Sequence, residues 1–83
     1  MTQQHAQIIT EIYAELLRAR GIHPAWPEDV IHASAIVAEE AGEAVRAALN
    51  HSYHGEDIDL LRTELVQCAA TCIRAIGGID AMV

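Results

Sequence analysis

Three carboxylates, Glu39, Glu40 and Glu43, fall within five residues in the middle of the apolar run from Val30 to Leu49. Around them stand Ile31, Ala35, Ile36, Val37, Ala38, Ala41, Ala44, Val45, Ala47, Ala48 and Leu49. A run this apolar predicts a helix packed over most of its circumference. An unpaired carboxylate is costly to bury, so such groups are found paired, protonated or bound to a metal. Spacings of three and four residues put all three acids on roughly one side of that helix. Whatever fold the chain adopts has to accommodate this cluster.

The 83 residues predict a single domain over 1–83. A chain of this size buries only about 60–65% of its extended surface. Yet 52% of its residues are apolar, with one Trp and no Phe. That surplus of small and branched side chains predicts close-packed helices with a further face buried in a homo-oligomer, a dimer or a tetramer. The formal charge of −7 comes from twelve acids against five arginines and no lysine. Such a balance disfavours nucleic-acid partners, and an anionic substrate has to be approached through a bound cation or local arginines. The plainer role of the charge is solubility. Cys68 and Cys72, four apart in an apolar stretch, read as free buried thiols. No secretory leader or membrane-length apolar run is evident, so a cytoplasmic location is expected.

Three helices are predicted, at about residues 3–19, 27–49 and 56–76, and no strand. The first carries Ile8, Ile12 and Leu16 on one row and Ile9, Tyr13 and Leu17 on the next, with Thr2 as cap and Gly21 as terminator. Pro27 suits the first position of the second helix, and Asn50 to Gly55 reads as a turn. The third carries Ile58, Leu61, Leu65, Val66, Ala69, Ile73 and Ile76, and Gly77-Gly78 is its expected stop. The predicted architecture is an all-α antiparallel bundle of three main helices, completed by oligomerisation.

The third helix repeats the anomaly of the second, with Glu64 between Leu61 and Leu65 and Gln67 one turn on. Glu43 precedes Asn50 by seven residues and Glu64 follows Gly55 by nine. At 1.5 Å rise per residue the two depths differ by only about 3 Å. Glu39, Glu40, Glu43 and Glu64 are therefore expected to converge in one cleft. Hard carboxylate oxygens without His or Cys suit Mg²⁺, or Mn²⁺, better than zinc.

Glu40-x-x-Glu43, twenty intervening residues and Glu64-x-x-Gln67 resemble the ExxE…ExxD signature of the all-α nucleoside triphosphate pyrophosphohydrolases. The segments from Glu39 to Ala44 and from Glu64 to Gln67 are most similar to the small MazG-like members. The resemblance covers about Pro27 to Ile76. It implies Mg²⁺ held by Glu40, Glu43, Glu64 and Gln67, with Glu39, Glu40 and Glu43 as catalytic acids. The implied reaction is hydrolysis of a (deoxy)nucleoside triphosphate to monophosphate and pyrophosphate, as nucleotide-pool housekeeping. One departure is visible: the family's fourth acid is Gln67 here, a carbonyl ligand without charge. The 83 residues are also short for that family, whose pattern leads to the expectation of a further C-terminal helix.

Trp26, His32 and Arg46 are the candidate substrate contacts. Their plainer roles are bundle closure, a hydrogen-bonded edge histidine and a surface ion pair. For the acid cluster, the plainer role is pairing with Arg46 or Arg62. His51 and His54 lack cysteine partners and read as solvated turn residues, and no Glu-x-x-His occurs. The alternative to an enzyme is a non-catalytic acidic helical module that serves oligomerisation or binds a partner protein, with a degenerate metal site.

Overall fold

A computed structural model describes residues 1–82, and every regular element in it is a helix. The order is α1 (Gln3–Ile22), α2 (Val30–His54) and α3 (Ile58–Asp80). α1 starts where the sequence placed it, with Thr2 Oγ1 accepting from the His5 N–H at 3.1 Å. It does not stop at Gly21. The helix closes two residues later, where the His23 N–H reaches the Ala19 carbonyl at 2.8 Å. Pro24 is the terminator, because the residue before a proline is disfavoured in the α region. His23 accordingly sits at φ −126°, ψ 76°.

The start of α2 also differs from expectation. Pro27 lies outside the helix, and Asp29 caps it, its carboxylate accepting from the Ile31 N–H at 3.0 Å. A side-chain acceptor for an orphan amide outweighs the proline's fixed φ. At the other end α2 runs on to His54, through most of the Asn50–Gly55 stretch expected to turn. Gly55, at φ 68°, provides the left-handed residue that ends it. The His51 ring donates from Nδ1 to the Glu56 carbonyl at 2.7 Å, so this histidine ties down the helix end. Asp57 then caps α3 by accepting from the Asp59 N–H at 2.9 Å. α3 passes through Gly77 and Gly78, neither of which takes a positive φ, and ends at Asp80.

α3 is the central element: it packs against both α2 and α1, while the backbones of α1 and α2 stay apart from each other. The tight contacts are mostly alanines. Ala33, Ala44 and Ala70 are buried, and Leu16 is the one large buried side chain among the described residues. Small residues let helix axes approach closely, but they bury little area each. The molecule is correspondingly open. Its accessible surface is 6062 Å², against about 4,850 Å² for a monomer of 9.0 kDa. Its radius of gyration is 14.0 Å, against about 11.8 Å for a compact chain of this length. Exposed apolar rows account for the difference in character: Ile9, Tyr13 and Leu17 on α1, and Val45, Leu49 and Tyr53 on α2. No helix among the described residues is long and apolar enough to cross a membrane.

Candidate metal centre

α2 carries Glu40 and Glu43 one turn apart, and α3 presents Glu64 beside them. One carboxylate oxygen from each lies within 4.8 Å of the others. Glu40 and Glu64 are half-buried, Glu43 is exposed, and Glu39 is exposed on the same helix. Glu40 Oε2 and Glu64 Oε2 are shielded from solvent and have no hydrogen-bond partner. Two screened carboxylate oxygens facing a third acid are stabilised by a proton or a cation.

The arginines do not supply that cation. Among the described residues the ion pairs are Arg18–Glu15, at 2.7 Å, and Arg62–Glu11. Pairing of the cluster with Arg46 or Arg62 is therefore not what the structure contains, since Arg62 is engaged by α1 and Arg46 is exposed. The electrostatic consequence is legible in the acids themselves. Burial pushes the Glu40 carboxyl above the ordinary glutamate range, and the charges of Glu43, Glu64, Glu39 and Glu15 push it further. Burial also raises Glu64, followed by the charge of Glu43.

The other sequence candidates divide. Gln67 is half-buried and shares with Glu40 the lining of a cleft of about 350 Å³. Trp26 and Arg74 line the same cleft, and Arg18 and Glu15 bound it from α1. His32 and Arg46 are exposed on α2 and are not part of this lining. Glu15 went unnoticed in the sequence, although its place among Ile12, Leu16 and Ala19 on an apolar stripe was the same signal that marked Glu64. Its side chain is only 14% exposed and takes three hydrogen bonds from Arg18, of 2.7–2.9 Å.

The donor set is all oxygen and anionic, and it fits a hard divalent cation such as Mg²⁺. A stability test follows from the raised carboxyls. In the unfolded chain Glu40 and Glu64 regain ordinary values, so the native state binds more protons in the interval above them. Stability of the metal-free protein is thus expected to fall as pH rises through that interval. Melting in EDTA between about pH 4.5 and 8 measures it, with millimolar Mg²⁺ expected to remove most of the slope. A flat profile in EDTA would mean that the acids do not repel one another in solution.

Compared with family models, curated proteins and solved structures, the chain matches none.

Proposed function

We propose that the chain is a Mg²⁺-dependent nucleoside triphosphate pyrophosphohydrolase of the cytoplasm, acting on (deoxy)nucleoside triphosphates to release monophosphate and pyrophosphate. The observation that carries this reading is the trio Glu40, Glu43 and Glu64, with two screened oxygens lacking any partner. It is joined by the cleft that runs from Glu40 and Gln67 towards Trp26. Glu40, Glu43 and Glu64 are the metal-holding acids, and Gln67 adds a carbonyl oxygen from the same side of α3. Mg²⁺ held there supplies charge neutralisation for a triphosphate and acidifies water. Glu39, exposed next to the trio, is the carboxylate left free to orient water and accept its proton. Trp26 offers the cleft an aromatic face on which a base can stack.

Assembly belongs to the same reading. The excess of about 1,200 Å² of accessible surface over a compact monomer exceeds the roughly 800 Å² that each partner buries in a standard interface. A second copy packed on the exposed apolar rows completes an antiparallel bundle.

The test is pyrophosphate release from a panel of NTPs and dNTPs, with Mg²⁺ and with EDTA. Gln67→Asp is run alongside, because a fourth charge at that position is expected to tighten Mg²⁺ by about tenfold. Mg²⁺-dependent release from wild type supports the enzyme. Release from Gln67→Asp alone indicates a metal site weakened by the glutamine. Silence from both favours the second reading, a non-catalytic module for oligomerisation or partner binding, to which the exposed apolar rows of α1 and α2 already point.

A further inference from the structure

The connector between α1 and α2 has no helix or strand from His23 to Asp29, yet α3 fastens it at one place. Arg74 donates from Nη2 to the carbonyl oxygen of His23 at 2.7 Å and, more loosely, to that of Ala25 at 3.4 Å. Its guanidinium carbon lies 4.8 Å from the centre of the Trp26 ring. One turn further along α3, Gly78 lies against the same indole. A Cβ at Gly78 would stand 3.3 Å from Trp26 Nε1 and 3.4 Å from Cδ1, close enough that the ring would have to give way by a few tenths of an ångström.

The clamp bears on the cleft. His23, Ala25 and Trp26 line it together with Glu40 and Gln67. Arg74 makes no ion pair among the described residues; its hydrogen bonds go to the two connector carbonyls. A planar guanidinium can stack on an indole and donate in its own plane at once, which an ammonium cannot. The position therefore demands arginine for its shape as well as its charge.

We infer that Arg74 is a positioning residue: with Gly78 it holds the Trp26 connector as a fixed wall of the cleft and so sets how tightly a nucleotide is held, without touching the carboxylate trio. The ligand in this statement rests on the pyrophosphohydrolase reading; the clamp itself does not.

Trp26 is the only tryptophan, so its environment can be read directly. Acrylamide quenching of its fluorescence and steady-state kinetics are measured for wild type, Arg74→Ala, Arg74→Lys and Gly78→Ala. In Arg74→Ala the quenching constant is expected to rise about twofold and KM about five- to tenfold, with kcat within about twofold of wild type. Arg74→Lys falls between, and Gly78→Ala shifts the Trp26 emission by displacing the ring. Stabilisation by Mg²⁺ alone is unchanged in all three, because the trio is intact. Unchanged quenching in Arg74→Ala overturns the clamp, and a loss in kcat as large as the rise in KM overturns the positioning role. Should Arg74→Ala fail to fold, quenching and KM of Arg74→Lys decide. Should wild type hydrolyse no nucleotide, the pyrophosphohydrolase reading falls and the clamp is judged on quenching.

Discussion

Glu64→Gln is expected to lower Mg²⁺-dependent pyrophosphate release by about a hundred- to a thousandfold and, in EDTA, to melt higher than wild type. The opposite signs come from one cause. Glutamine keeps the volume of Glu64 and removes its charge, so Glu40 and Glu43 lose a like-charged neighbour within 4.8 Å. Glu40 is held above its ordinary range in part by Glu64, and the substitution lets it ionise more readily. The screened Oε2 of Glu64 has no donor to lose. A residue present only for packing would show the reverse pattern, with stability and activity falling together. Mg²⁺ is expected to raise the melting temperature of wild type and to do so much less in the variant, since one anionic ligand is gone. Pyrophosphate assays and melting curves with Mg²⁺ and with EDTA provide all four numbers. A Glu64→Gln protein that melts below wild type in EDTA, or that retains full activity, would remove Glu64 from the metal-holding set.

The acid cluster was legible because charge inside an apolar helix is expensive, and the same rule applied to Glu64 on α3. A turn from Asn50 to Gly55 brings the two helices to one depth, whereas only Gly55, Glu56 and Asp57 lie between α2 and α3. Long glutamate side chains absorb that error; shorter aspartates at the same positions would have been less forgiving. Helix ends were less legible because rival terminators stood close together. Pro24 prevailed over Gly21, Asp29 over Pro27, and Gly78 served the Trp26 ring rather than a stop. The part that no local rule reveals is tertiary. That α1 docks along α3, bringing Glu15 within electrostatic reach of Glu40, depends on contacts between residues far apart in the chain.

Two adjacent leucines on α1 are expected to fail in different ways. Leu16 is 7% exposed and is the one large side chain in a core otherwise made of Ala33, Ala44 and Ala70. Leu16→Ala therefore removes the one large buried side chain of α1, at a cost of about 2–3 kcal/mol. A domain of this length has roughly 4–12 kcal/mol in total, so the melting temperature is expected to drop by about 10–20 °C. Leu17 is 51% exposed and continues the row of Ile9 and Tyr13. Leu17→Glu leaves the α1–α3 contact in place and sets a charge in the face offered to a second copy, where burying it unpaired is prohibitive. Light scattering is expected to give a multiple of the 9.0 kDa chain mass for wild type and the single-chain mass for Leu17→Glu. Leu16→Ala is expected to keep the wild-type mass below its melting temperature. A wild-type mass of 9.0 kDa would sink the assembly. An unchanged mass in Leu17→Glu would instead move the interface off α1, towards the row of Val45, Leu49 and Tyr53 on α2.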